Sequence, residues 1–414
     1  LIGEHFDGLE TRSPEARERD LFARLPALLA HAKARAPGFA AILAAVEPAA
    51  VTDRAALADL PVTRKSALFD LQSATPPFGG LTATAPRALK RVFASPGPIY
   101  DPEGHGADWW RFARALFAAG FRKGDLLHNG FAYHFTPAGA MVESGAEALG
   151  CTVFPGGVGQ TEAQARAIAA LRPAGYCGTP SFLKLIHEKG REFGLDLGSL
   201  AKALVSGEAL PAALRAELAG FGTAVLQCYA SADLGLIAYE SVAREGMILD
   251  EQVILEIVRP GTGDPLREGE VGEVVVTSFN QDYPLIRFAT GDLSAILPGA
   301  SPCGRTNQRI KGWLGRADQT TKVRGMFVHP SQIADIVRRH PEIVTARLVV
   351  DRAVDHDTMT LLCALAVPGE DGLADSIAQS VQTVCKLRGE VAIVAPSELP
   401  NDGKVIEDRR KLDA

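Results

Sequence analysis

The 414-residue chain contains no apolar run close to the roughly 18 residues needed to cross a bilayer, so a membrane-spanning role is not expected. It also lacks an excess of basic residues: 43 lysines and arginines against 49 aspartates and glutamates give a formal net charge of −6. A nucleic-acid partner would favour a basic face, so none is expected. The N-terminal LIGEHFDGLETR carries acids where a secretion signal needs lysine or arginine ahead of its apolar core. Six cysteines stand singly at 151, 177, 228, 303, 363 and 385, with no CxxC pair. That spacing argues against the disulfide framework of a short secreted protein; reduced, buried thiols in a cytoplasmic protein are the expectation. Neither an internal repeat nor a low-complexity tract beyond alanine richness is present.

What is present is a globular composition, 47% hydrophobic and 22% charged, on a chain too long for one core. From about 108 to 190, helical stretches (DWWRFARALFAAG, GAMVESGAEALG, TEAQARAIAALRP) alternate with short apolar runs (DLLHNGF, CTVFPGG, AGYCGTP). That alternation predicts a parallel sheet with helices on both faces. VILEIVRP and EVGEVVVTSF then read as antiparallel strands. Beyond residue 318 the pattern is PSQIADIVRRHP (helix), ARLVVD and MTLLCALAVP (strands), ADSIAQSVQTVCKLRG (helix) and EVAIVA (strand). At about 95 residues this is the size of a small α+β domain. The predicted fold class is therefore α/β. A large multi-subdomain N-terminal part, 1–317, carries parallel and antiparallel sheets, and a small, mobile α+β domain spans 318–414.

Five stretches carry chemistry: SGEALP (206–211), QCYASADLG (227–235), YPLIRFATGDL (283–293), GWLGRADQTTKVRG (312–325) and LPNDGKVIEDRR (399–410). Asp292 follows an apolar run, where a carboxylate can accept both hydroxyls of a ribose; a turn or capping aspartate is the ordinary alternative. Tyr229 follows VLQC and offers a flat ring for stacking on adenine. Lys404 follows Gly403 in a loop of Pro, Asn and Gly, a flexible mount for a mobile charge. In this order and spacing the stretches resemble the adenylate-forming superfamily of acyl-CoA synthetases, with the phenylacetate-CoA ligase family as the most similar branch. DLPVTRKSALFD and GAEALGCTVFPGG extend the resemblance over most of the chain, and YPLIRFATGD followed by GRADQTTKVRG is its most specific part.

The resemblance implies an ATP-dependent acid–thiol ligase that makes an acyl-adenylate from a carboxylic acid, with an aromatic acid as the expected substrate, and passes the acyl group to coenzyme A. It implies that Ser206, Gly207 and Glu208 line the adenine side, with Cys228, Tyr229, Ala230 and Ser231 as further nucleotide contacts. Arg316 would touch ribose or phosphate, and Asp318 would be the hinge of the small domain. Lys404 would swing in to neutralise charge developing between the carboxylate and the α-phosphate. Asp233 stands where the family usually has a glutamate that helps to place Mg²⁺, a hard ion that takes oxygen ligands. The expected partner is a small-molecule carboxylic acid, with a homodimer as the candidate assembly.

Three segments bear on these expectations. FASPGPIYDPEG occupies the place of the family's phosphate loop; Ser95 and Gly97 survive, while Pro96 and Pro98 remove two backbone donors. Asp101 and Glu103 are expected to add negative charge where a triphosphate would pass, weakening the grip on the outer phosphates. Relatives can carry a zinc site near a CxCGRT segment; here SPCGRT leaves Cys303 alone, and one thiolate cannot make a four-ligand site, so no zinc is expected. In NGFAYHFTPAG, strand-like alternation would put Phe131, Tyr133 and Phe135 on one face, the lining of an aromatic-acid pocket. Two other readings stay open: a repurposed relative that binds a nucleotide or acyl compound without adenylation, and an enzyme that hands the acyl group to a carrier protein.

Overall fold

The structure is a computed structural model, and it describes residues 4–95, 98–208, 210–314, 316–317, 321–323, 326–328, 330–352, 357–365, 372–400 and 404–410. The chain divides into two compact units, one of 1–256, 275–289 and 296–313 and the other of 257–274, 290–295 and 314–414. It passes between them within the strands Val253–Val258, Gly272–Ser278 and Phe288–Ser294. No helix among the described residues is long and apolar enough to cross a membrane.

In the first unit the segment RVFASPGPIYDPE is not a simple loop. It forms strands β1 (Arg91–Ser95) and β2 (Ile99–Glu103), paired antiparallel with Ser95 opposite Ile99. The alternation of helical stretches and short apolar runs then folds as the predicted parallel sheet, β3 (Leu126–Asn129), β4 (Thr152–Pro155) and β5 (Gly175–Gly178), which β6 (Lys202–Val205) and β7 (Ala224–Ser231) continue. The crossovers are α1 (Ala138–Leu149), α2 (Thr161–Leu171), α3 (Pro180–Glu192) and α4 (Ala212–Gly220). Two of these helices have a terminus on a residue suited to the task. Thr179 caps α3 through its hydroxyl with Pro180 at the first helical position, and Gly150 closes α1 at φ 84°.

Strand order in the parallel part is β4–β3–β5–β6–β7. Antiparallel β8 (Gly235–Glu240) and β9 (Met247–Leu249), then Arg309–Ile310 and Ile296–Leu297, extend it to nine strands. Because β3 lies between β4 and β5, the order reverses there, and a crevice opens outside the carboxyl ends of the strands at such a point. Tyr176, Leu183, Ile186, Ala203, Val205, Leu218 and Val225 form the buried layer between the sheet and its helices.

The strand-like reading of NGFAYHFTPAG does not hold. β3 ends at Asn129, and the next eight residues turn before α1 begins. The Asn129 side chain drives this: its Nδ2 donates to the Tyr133 hydroxyl and the Gly139 carbonyl (both 2.8 Å), and its Oδ1 accepts from the Phe131 N–H (3.2 Å). Phe135 takes a left-handed φ of 61° and is 81% exposed. The three aromatics therefore do not share one face.

In the second unit, β10 (Ile343–Arg352) and β11 (Asp357–Leu365) pair antiparallel, with β12 (Glu390–Val394) parallel to β11 and β13 (Ile406–Asp408) parallel to β10. Helices α5 (Pro330–Arg339) and α6 (Leu373–Cys385) cover one face through Ile333, Ile336, Ile377 and Val381, packed on Leu348, Val350, Leu361 and Ile406. Leu361 is fully buried at the centre of this layer. Leu361→Ala is expected to lower stability by about 2–5 kcal/mol, read from the urea midpoint of the full chain; a change near zero would contradict this packing.

Candidate active site

The carboxyl ends of three parallel strands supply one cavity of about 150 Å³. Phe131 follows β3, Ser206 and Gly207 follow β6, and Ala230, Ser231 and Ala232 stand at the end of β7; Ser95 of β1, Phe112 and Met141 complete the wall. The lining combines large apolar side chains, Phe112, Phe131 and Met141, with small residues, Gly207 and Ala230 to Ala232. Gly207 suits its place because its φ is 84°, a left-handed conformation that favours glycine. The Ser206 hydroxyl donates to the Cys228 carbonyl (2.9 Å), which ties the β6 turn to β7.

Of the expected contacts, Ser95, Phe131, Ser206, Gly207, Ala230 and Ser231 come together around this cavity. Cys228, Tyr229, Tyr133 and Phe135 are not part of its lining. Cys228 is buried in the sheet, and burial pushes its thiol up to about 12, so it stays neutral. The Glu208 carboxylate turns to the start of α3 and accepts the Ser181 N–H at 2.7 Å, where the helix dipole favours an anion. Gly97 and Asp318 lie outside the described residues.

Asp101 and Glu103 overturn the expectation of negative charge facing a triphosphate. With Ile99 they occupy the inward side of β2, and both are buried. Glu103 is neutralised by Arg91 and by Lys90 (3.1 Å). Asp101 accepts the Ser95 hydroxyl at 2.5 Å and faces Asp233. Burial, and next the Asp233 charge, push the Asp101 carboxyl up to about 7, while the Ser95 hydroxyl acts in the opposite sense. Asp233 is buried as well and holds the Lys65 ammonium at 2.6 Å. Lys65 was not singled out from the sequence, although it lies in the quoted DLPVTRKSALFD; nothing in that stretch tells which of its charges turns inward.

The Oδ1 atoms of Asp101 and Asp233 and the Tyr283 hydroxyl are buried without a hydrogen-bond partner among the described residues. Hard oxygen donors of this kind fit Mg²⁺, which is commonly held by one or two carboxylates with phosphate oxygens and water completing the shell. Among the described residues no group of three or more His, Cys, Asp or Glu could hold a metal ion unaided.

In the second unit, Asp292 and Arg316 meet. The Arg316 Nη1 lies 3.3 Å from the Asp292 carboxylate, and the two residues form an isolated antiparallel bridge. Backbone bonds from Leu314 to Leu293 (2.9 Å) and from Ala317 to Gly291 (2.6 Å) hold the pair in register. Lys404 is exposed on the lead into β13, and its carbonyl accepts from Arg347 Nε (3.1 Å).

Comparison with known proteins follows the same lines. A family model described as AMP-binding enzyme matches residues 130–280, which include Phe131, Ser206 to Glu208 and Cys228 to Asp233. The phenylacetate-coenzyme A ligase of Thermus thermophilus is 34% identical over 337 residues, 76% of each chain. That of Aromatoleum evansii is 28% identical over 362 residues, 81% of each chain. A crystal structure of 2-hydroxyisobutyryl-CoA ligase with 2-HIB-AMP and CoA in the thioesterification state aligns with a TM-score of 0.71 at 25% identity. That alignment covers 97% of this chain and 92% of the other.

The buried acid sets a pH test. Asp101 has a folded pKa of about 7 against 3.8 for the free group. Its contribution is therefore fully present below about pH 4 and is lost as pH rises through about 7. Asn at this position can donate to Asp233 and accept from Ser95 without ionising. In chelator-treated protein, Asp101→Asn should gain on the parent by at least about 3 °C in Tm between pH 5 and pH 8. A difference that does not grow with pH would contradict the buried, Asp233-facing assignment.

Proposed function

The chain belongs to the phenylacetate-coenzyme A ligase family, and we propose that it converts ATP and a monocyclic aromatic acid to an acyl-adenylate and pyrophosphate and then transfers the acyl group to coenzyme A with release of AMP. The observation that carries this reading is the cavity at the carboxyl ends of β3, β6 and β7, lined by large apolar and by small residues. An apolar cavity of roughly 150 Å³ is the size that holds a benzene ring. Phe112, Phe131 and Met141 would hold the ring, while the Ser206–Gly207 turn and Ala230 to Ala232 leave backbone room for the nucleotide.

Adenylation converts a poor leaving oxygen into a good one. The chain's residues would then bind, orient and neutralise. Asp292, braced by Arg316, would accept the ribose hydroxyls, and Tyr229 would stack on adenine. Ser95, held by Asp101 at the hairpin end, would approach the α-phosphate. Asp233, with Asp101 beside it, would hold Mg²⁺ through Oδ1, and that ion would offset charge on the phosphate oxygens. Lys404 would supply charge where the carboxylate meets the α-phosphate. The part beginning at Asp318 would turn between the two half-reactions, and cytoplasmic residence belongs to the same reading.

Two measurements test it. Acid-dependent pyrophosphate release from ATP is expected with single-ring aryl acids and should fall off for two-ring acids. No release with any acid would leave a nucleotide-binding relative as the better description. Lys404→Ala should lower acyl-adenylate formation by about 10²-fold, roughly 2.7 kcal/mol, and spare thioester formation from supplied acyl-adenylate. Equal loss in both steps would contradict the role given to this lysine.

A further inference from the structure

Among the described residues from 321 onward, one Lys, Arg, Asp or Glu side chain is buried, and it is Arg347 of β10. Alternation along β10 places Leu348 and Val350 in the layer under α5 and α6, so Arg347 and Val349 lie on the opposite face. A guanidinium removed from water is costly unless its N–H groups find acceptors. Among the described residues Arg347 finds three, and all belong to the C-terminal segment. Nη2 donates to the Pro400 carbonyl at 2.9 Å, Nε to the Lys404 carbonyl at 3.1 Å, and Nη1 lies 3.5 Å from the Glu407 carboxylate.

One planar fork thus reaches the carbonyls of both Pro400 and Lys404. The flanking backbone is held by the same strand: the Leu348 N–H donates to the Val405 carbonyl at 2.9 Å, and Val349 pairs with Glu407 in the parallel ladder. The grip is on the carbonyl of Lys404, not on its ammonium, and the lysine side chain itself is exposed. That division suits a residue whose base must be fixed while its charge reaches outward. A lysine at 347 would keep the charge but not the geometry, because its donors radiate from one nitrogen instead of lying in a rigid planar fork.

We infer that Arg347 is a positioning residue for the adenylation half-reaction: by holding the Pro400 and Lys404 carbonyls together, it fixes the base from which Lys404 reaches the reacting carboxylate and α-phosphate. The inference rests on the ligase reading and on the role given there to Lys404. It is separate from any contact of Arg347 with substrate, and none is assigned.

The experiment compares the full-length protein with Arg347→Gln and Arg347→Lys. Hydrogen exchange of the 396–408 segment reads the clamp without any need for activity. It should quicken at least about fivefold in Arg347→Gln while the α6 segment keeps its protection, which shows that the unit is still folded. Acid-dependent ATP–pyrophosphate exchange should fall at least about tenfold in kcat with KM for ATP and acid within about threefold, and Arg347→Lys should fall between. Thioester formation from supplied acyl-adenylate should stay within about threefold of the parent. Unchanged exchange in 396–408 overturns the clamp, and an equal fall in both half-reactions overturns the positioning role. If the parent protein shows no acid-dependent exchange, the ligase reading and the positioning role fall together, while the hydrogen-exchange arm still decides whether the clamp exists.

Discussion

Parallel pairing is the constraint from which the rest of the first unit follows. Two adjacent parallel strands cannot be joined by a tight turn, so each step from β3 to β7 spends a helix on the return. All strand exits then fall on one edge of the sheet. Phe131, Ser206, Gly207 and Ala230 to Ala232 are such exits, separated by up to about a hundred positions in sequence and gathered around one cavity. The reversal of order at β3 opens the crevice in which they meet. Small residues are affordable at these places because the sheet behind them is already filled by Tyr176, Leu183 and Val225.

How much of this could be read beforehand depended on whether a signal is local. The alternation of GAMVESGAEALG, CTVFPGG, TEAQARAIAALRP and AGYCGTP is local and strongly periodic, and it led directly to α1, β4, α2 and β5. The small α+β unit was legible for the same reason, since its helices and strands bury one face each. NGFAYHFTPAG misled because alternating aromatics imitate a strand, whereas Asn129 satisfies the backbone through its side chain and bends the chain away. Side-chain capping by a single asparagine leaves no periodic trace. The site residues were legible only through family resemblance, because a ribose-binding aspartate and a capping aspartate look alike in isolation.

The hairpin of residues 91–103 shows what such a reading misses when charge is assigned without direction. Asp101 and Glu103 look like exposed acids in a loop rich in proline. In β2, however, they sit at positions of equal parity with Ile99, and parity decides which side of a strand a residue faces. Glu103 therefore meets Arg91 and Lys90, and Asp101 meets Ser95 and Asp233.

This inward turn changes the electrostatics of the loop instead of merely hiding two charges. Asp101 and Asp233 together would place two negative charges in a space that excludes water, opposed by the ammonium of Lys65. Neutrality is reached when one carboxyl keeps its proton, and the Asp101 carboxyl, pushed up by burial and by its neighbour, is the one that does so. A protonated Asp101 can donate toward Asp233 while it still accepts from Ser95, which links the hairpin tip to the Lys65–Asp233 pair. The hairpin acids thus brace the loop from behind, and the approach to Ser95 carries less negative charge than the sequence FASPGPIYDPEG suggests.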